Sequence, residues 1–252
     1  MDILVSVITP VYNCEKFIKE SLDSILPQIK DNYELLVLDD ASDDDTTCII
    51  ADIFHGDNER KMLIGTQAEN KGCAYCSNHL IENFAHGKYI AIHDADDISL
   101  PGRLEKQVEF LEKNDDIFCV GGWAKTIDEE GKNIGSMHYP PKTDHDIKMQ
   151  LGNNTCCPII NPSTMFRRDV FLQLGGYEYE DPLIKYVHDF DLWFNAASNG
   201  YKFENLREEL IKYRKNPNGI TGRLQKTMIK GHGKVLMKYH RYVKKLRKGE
   251  II

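Results

Sequence analysis

The sequence predicts an α/β fold with a mixed, mainly parallel central sheet flanked by helices and followed by a basic helical tail. Three observations lead to this expectation. Short apolar runs alternate with helical patterns of roughly 10–15 residues, the order that builds a parallel sheet covered on both faces. The runs are apolar almost throughout, as strands buried on both faces are. Several of them end in short polar loops, and ligands of such sheets bind beyond the carboxyl ends of the strands.

The first strand is expected over residues 3–9 (ILVSVIT), stopping at Pro10, and the second over 34–38 (ELLVL), stopping at Asp39 and Asp40. Between them Ile18, Leu22 and Ile25 recur at helical spacing and give one apolar stripe. A second helix is expected over 43–54, its acids in the first turn where the helix dipole favours them. Residues 61–66 read as a strand, 73–84 as a helix and 88–92 as a strand, and Pro101 opens another helix. The loops at 10–13, 39–42 and 94–97 should therefore meet at one sheet edge. Beyond Ile117 the alternation fades. FCVGGWAKTIDEEGKNIGSMHY reads as two strands about a turn near Glu130 and Gly131, then a helix over 189–199 and separate strands near 202–205 and 210–214.

With 252 residues and 41% hydrophobic content the chain can bury a core, and no apolar run approaches the roughly 20 residues of a membrane span. The start, MDILVS, lacks the basic and apolar regions of a leader, so a cytoplasmic location is expected. Seven scattered cysteines suit reduced thiols; Cys73-Ala-Tyr-Cys76 finds no second Cys-x-x-Cys, and it and the adjacent Cys156 and Cys157 read as plain thiols. Residues 223–248 hold ten Lys or Arg and no acid, which leaves 22 bases against 38 acids in residues 1–222. An acidic body with a basic tail suggests peripheral contact with an anionic membrane face and argues against nucleic acid as a partner. In the tail Leu236, Tyr239, Val243 and Leu246 share one helical face, which could lie in a membrane, pack on the chain's own domain, or pair in a homodimer.

YIAIHDADDISLPGRL sets Asp94, Asp96 and Asp97 at the end of a strand, and Asp97 could instead cap the helix that opens at Pro101. Carboxylates so crowded repel one another unless a cation sits among them, and hard oxygen ligands suit Mg²⁺ or Mn²⁺. His93, directly before them, either tunes these acids or is a strand-end histidine satisfied by backbone.

With VSVITPVYN, ELLVLDDASDDDT, GKYIAIHDADDISLPGRLEKQ, NPSTMFRRDVFLQLGGY and HDFDLWF in this order, the chain resembles family 2 glycosyltransferases over roughly residues 3–215. The resemblance implies a Rossmann-like GT-A fold and an inverting transfer from a nucleotide diphosphate sugar, UDP-sugar favoured, to a glycan or lipid-linked hydroxyl. Cell-surface polysaccharide or glycoconjugate synthesis would be the setting. It divides the domain 1–222 into a nucleotide-binding half, 1–115, and an acceptor-binding half, 116–222, with 223–252 as tail. It assigns Asp96 to the Mn²⁺ or Mg²⁺ ion, Asp94 with Ala95 to the donor and metal shell, and Asp40 to a uracil ring nitrogen. Pro10, Val11, Tyr12 and Asn13 would form the base-binding loop, with Tyr12 stacking, and Lys71 would lie near the diphosphate. Asp189 would be the base that takes the acceptor proton. Asp191 and Trp123 are further acceptor candidates, and Trp193 reads as core.

Three departures stand out: His188 replaces the usual Glu before Asp189, Ser77 stands where relatives often have Arg, and Lys215 and Asn216 stand where they place a late His. Lys71, Arg103 or Lys215 could compensate. Two other enzymes lose on motif position: a haloacid dehalogenase-type phosphatase needs D-x-D at its first strand, and a sugar nucleotidyltransferase needs a Gly-rich basic loop there. A non-catalytic relative that only binds nucleotide or carbohydrate is the remaining alternative.

Overall fold

The computed structural model describes residues 2–55, 61–153 and 157–250, with backbone alone over 61–64. Strands β1 (Val5–Val11), β2 (Tyr33–Asp39), β3 (Lys61–Thr66) and β4 (Tyr89–Ile92) alternate with helices α1 (Ile18–Ile25), α2 (Thr46–Phe54) and α3 (Cys73–Asn83). A short β5 (Ile98–Ser99) and α4 (Arg103–Lys113) lead to the second half, β6 (Ile117–Ile127), β7 (Asn133–Met137), α5 (Asp144–Asn153), β8 (Met165–Arg167), α6 (Arg168–Gln173), α7 (His188–Ser198) and β9 (Lys202–Arg214). The tail forms α8 (Ile220–Arg223), α9 (Gln225–Lys238) and α10 (His240–Arg247).

All the strands join one sheet in the order β3-β2-β1-β4-β8-β6-β9-β5, with β7 paired to β6. Pairs β2–β3, β1–β2, β1–β4 and β6–β9 are parallel and hold the longer registers, whereas β8, β5 and β7 pair antiparallel. The mixed, mainly parallel sheet is as expected. Side chains alternate between its faces: Val5, Val7, Leu35, Val37, Tyr89 and Ala91 pack with α1, α2 and α4, while Ile8, Leu36, Leu38, Ile90 and Ile92 pack with α3, α5, α6 and α7. Trp193 is fully buried in the second layer against Phe118 and Phe203.

Several expectations need correction. β1 does not stop at Pro10 but continues to Val11, with Pro10 opposite Leu38. His93 N bonds Ile8 O, so Pro10 turns its N-donor side toward β4 as well, where β4 has already ended at Ile92; the missing N–H costs no ladder bond. The two strands expected over 202–214 are one strand, β9. Its polar Arg207 and Glu208 sit where the register with β6 slips between Gly122 and Trp123, a bulge that breaks the pattern without breaking the strand. Asp43, Asp44 and Asp45 precede α2 rather than forming its first turn. Helices α5 and α6 and strand β8 had no distinct sequence signal.

The apolar face of the tail is consumed by its own domain: Val235, Val243 and Leu246 are buried in the core, with Leu236 and Tyr239 packed against it. A Cβ on Gly152 of α5 would lie 2.9 Å from that of Leu246, so only glycine lets α10 dock this closely. Among the described residues no helix is long and apolar enough to cross a membrane.

Candidate active site

The parallel register sets Val11 beside Asp39 and Ile8 beside Ile92, so the loops after β1, β2 and β4 leave the same edge together. The first two are tied reciprocally. Asn13 Nδ2 donates to Asp43 Oδ1 at 2.6 Å, Asp43 N donates to Asn13 Oδ1 at 3.0 Å, and Asn13 N donates to Ser42 Oγ at 2.9 Å. Asp44 accepts from Glu15 N at 3.1 Å and Thr46 N at 3.0 Å, the task these acids perform instead of lining a helix turn. Asn13 (φ 48°) and Ala41 (φ 63°) are left-handed, a strained backbone of the kind held at binding loops. Pro10 and Val11 are buried, while Tyr12 stands 43% exposed with its ring open to a ligand.

Asp40 is buried and uses both carboxylate oxygens, accepting from Lys71 N at 2.8 Å and Gly72 N at 2.7 Å. It thereby fixes the loop before α3, and its second lone pairs remain for a ring N–H. Lys71 itself extends over the Tyr75 ring, 5.1 Å from the centroid, with Nζ 3.5 Å from Glu69. Ser77 is buried within α3. Burial pushes the thiols of Cys73 and Cys76 up, opposite to what a zinc or redox thiolate needs. Cys157 Sγ donates to Ile159 O at 3.1 Å, and Cys156 lies outside the described residues.

The acidic loop is supported from beneath by neutral and cationic groups. His93 is buried and bonded through Nε2 to Ser21 Oγ at 2.9 Å, and Ser21 Oγ donates on to Asp94 O at 3.1 Å. That chain requires the Nε2–H tautomer. Burial and the nearby Arg103 push the imidazole down to about 3, so His93 supports the loop as a neutral group. Arg103 is buried as well, donating to Ile92 O at 2.7 Å and Thr164 O at 3.1 Å, and its charge opposes the repulsion felt by Asp94 and Asp97. Cys14 Sγ contacts Ala95 O at 3.3 Å. Asp97 does not cap α4; its Oδ1 accepts from Arg214 N at 2.8 Å, and its buried Oδ2 has no hydrogen-bond partner among the described residues.

Arg214, at the end of β9, was missed by sequence reasoning. Its Nε donates to Asp96 O at 2.8 Å, Nη1 to Asp128 O and Glu129 O at 3.0 Å each, and Nη2 to Glu20 at 2.5 Å. Asn216, in the place of the late His, still reaches the site, with Nδ2 3.4 Å from Asp96 Oδ2.

Asp189 enters from the first turn of α7, close enough to Asp94 that the two charges interact. Burial, then Asp96, then Asp189 push the Asp94 carboxyl up to about 7, and burial also raises Asp96. A loop crowded with acids, Asp97 among them with an orphaned buried oxygen, fits a divalent cation. Among the described residues no three His, Cys, Asp or Glu side chains could hold a metal by themselves, so any ion would rely on phosphate and water for most of its shell. His188 Nδ1 bonds Lys185 O at 3.0 Å and its ring packs edge-on to Tyr177, turned to structure.

The two remaining acceptor candidates are already engaged. Asp191 is 4% exposed and receives two bonds from Lys238 Nζ, at 3.0 and 2.9 Å. Trp123 Nε1 donates to Pro140 O at 3.1 Å and its ring lies 4.7 Å from that of His138.

The model of the family described as "Glycosyl transferase family 2" matches residues 6–175, which run from β1 to α6 and include all three loops. The chain belongs to this family. Asp189 lies beyond the matched segment. Relatives of this family 2 protein include an uncharacterized glycosyltransferase of Methanocaldococcus jannaschii, 36% identical over 90% of this chain and 76% of the relative. TuaG of Bacillus subtilis, named for teichuronic acid biosynthesis, is 29% identical over 86% of this chain and 81% of its own. Among solved structures, Staphylococcus aureus TarS 1–349 in complex with UDP-GlcNAc superposes with a TM-score of 0.69 at 19% identity, over 88% of this chain and 61% of that one. The mannosyltransferase PcManGT of Pyrobaculum calidifontis, in complex with GDP-Man and Mn²⁺, gives 0.68 at 17% identity, over 98% and 70%. These likenesses establish a GT-A fold.

Proposed function

We propose that this glycosyltransferase is a metal-dependent inverting enzyme that moves a hexosyl or N-acetylhexosaminyl group from a UDP-sugar to a hydroxyl of a glycan or lipid-linked acceptor in cell-surface polysaccharide synthesis. The observation behind this reading is the meeting of Asp94, Asp96 and Asp189 at one sheet edge, where their mutual repulsion has no complete protein answer. Asp96 and Asp94 would hold Mn²⁺ or Mg²⁺, which when bound neutralises charge on the departing diphosphate. Asp40 and residues 10–13 bind the nucleobase, with Tyr12 against its face, and Ala95 and Lys71 border the donor. Asp189 takes the proton from the acceptor hydroxyl as that oxygen attacks the anomeric carbon from the side opposite the diphosphate. The nucleotide complexes of TarS and PcManGT and the polysaccharide pathway of TuaG favour this reading over a non-catalytic relative.

The tail would bring the enzyme to its acceptor. Ile229 (65% exposed) and Met237 (76% exposed) lie on the side of α9 away from the buried Gly231 and Val235, in one arc with Lys226 and Lys230. This outer arc, rather than the expected face with Leu236, Tyr239, Val243 and Leu246, suits an anionic membrane surface.

The test is a thermal-shift panel of nucleoside diphosphates and nucleotide sugars, with and without Mn²⁺, on wild type and Asp96→Ala. A ligand that binds the folded state raises its melting temperature. Mn²⁺-dependent stabilisation by one nucleotide, lost in the variant, is expected. No shift with any ligand would leave the non-catalytic reading in its place.

A further inference from the structure

Helix α9 touches the segment bearing Asp189 at successive points along its length. A Cβ on Gly231 would lie 2.7 Å from Leu183 O and 2.8 Å from Val187 Cγ2, so the helix backbone rests against the turn just before α7. Lys234 pairs with Asp181, which itself accepts from Leu183 N at 3.0 Å and Ile184 N at 3.2 Å. The His232 ring packs edge-on to Phe190 at 4.6 Å, next in sequence to Asp189, and feels the Asp189 charge. Lys238 closes the series on Asp191, and Tyr239 stacks on Phe194 at 5.6 Å and 12°.

These contacts fall on Asp181, Leu183, Val187, Phe190, Asp191 and Phe194, on both sides of Asp189. Burying Asp191 without a partner would be costly, so the Lys238 pair commits the first turn of α7 to one rotation about its axis. Asp189 lies in that same turn, and a carboxylate that must meet an acceptor proton within hydrogen-bond reach depends on such a constraint.

We propose that α9 is a working part of the transfer site, and that Lys238, acting through Asp191, is a positioning residue that fixes the direction of Asp189. The inference rests on the reading of Asp189 as the base, so its test needs a readout independent of turnover. Wild type, Lys238→Met, Lys238→Arg and the double variant Lys238→Met/Asp191→Asn, which leaves no buried unpaired charge, are compared as full chains. Amide hydrogen exchange is followed over residues 184–194, alongside Mn²⁺-dependent release of UDP from UDP-N-acetylglucosamine. In Lys238→Met and in the double variant, exchange over 184–194 should rise at least tenfold. Turnover should fall at least tenfold with donor KM and the UDP–Mn²⁺ thermal shift unchanged, and Lys238→Arg should recover most of both. Unaltered exchange over 184–194 in Lys238→Met and the double variant overturns the proposal, as does a rise spread evenly over the whole chain. Asp189→Asn is run beside them: full turnover there removes the base assignment, while the exchange result still decides whether α9 holds the segment.

Discussion

Arg214 Nε donates to the backbone oxygen of Asp96 at 2.8 Å, joining the last strand of the sheet to the acidic loop after the fourth across 118 residues. The same guanidinium holds the β6–β7 turn through Asp128 and Glu129 and lies 4.8 Å over the Phe17 ring of the loop before α1. One buried cation thus sets the height of the acidic loop relative to its neighbours.

Replacing Arg214 with Met removes these bonds and leaves the partly buried carbonyls of Asp96, Asp128 and Glu129 without this donor. A loss of about 3 kcal/mol is expected from groups of this kind. For a chain of this size that corresponds to a melting temperature lower by roughly 6–12 °C. Differential scanning calorimetry checks the loss, and the stabilisation by UDP with Mn²⁺ should weaken in the same variant.

Asp94 provides a pH test. Its carboxyl is raised to about 7 by burial, Asp96 and Asp189, so between about pH 4 and 7 the folded chain keeps a proton that the unfolded chain has released. The stabilisation is fully present below about pH 4 and is lost as the pH rises through about 7. Melts of the metal-free protein should therefore show falling stability over this range, and Asp94→Asn should flatten the slope. A slope unchanged in Asp94→Asn would place its source elsewhere.

Asp189→Asn keeps the size of the side chain and removes its basicity. Sugar transfer should drop by about 10²–10⁴-fold, the usual value of a positioned general base. Stabilisation by UDP with Mn²⁺ should remain at the wild-type level, and turnover within threefold of wild type would refute the role.

Membrane contact is tested by sedimentation with vesicles of phosphatidylserine and phosphatidylcholine against phosphatidylcholine alone. Binding should require the anionic lipid, weaken with salt, and fall at least tenfold in Lys226→Glu/Lys230→Glu, since each basic residue near such a surface contributes about 1 kcal/mol. Ile229→Asp/Met237→Asp should weaken it as well. Equal sedimentation of all forms would dismiss the α9 surface.

The first half of the chain was legible because its signals are local. Apolar runs such as 34–38 specify buried strands, the Ile18, Leu22, Ile25 stripe specifies a helix, and parallel connectivity then brings their loops to one edge. The second half was less legible because its signals are weak or interrupted. Strand β8 has three residues, and β9 has a bulge that reads as a gap. Asp97 misled because a carboxylate before a helix usually caps it, yet here a strand amide more than 100 residues away competes successfully for its oxygen.

The sequence by itself determined the family, the sheet edge, the crowding of Asp94, Asp96 and Asp97, and the basic tail. Tertiary structure decided which distant groups answer that crowding. Arg103 and Arg214 come to lie beside the acids, Asp189 arrives from the second half, and the apolar face of the tail is spent on the core, leaving Ile229 and Met237 outside. Periodicity is a property of neighbouring residues, whereas charge compensation and helix docking depend on which surfaces the completed sheet brings within contact distance.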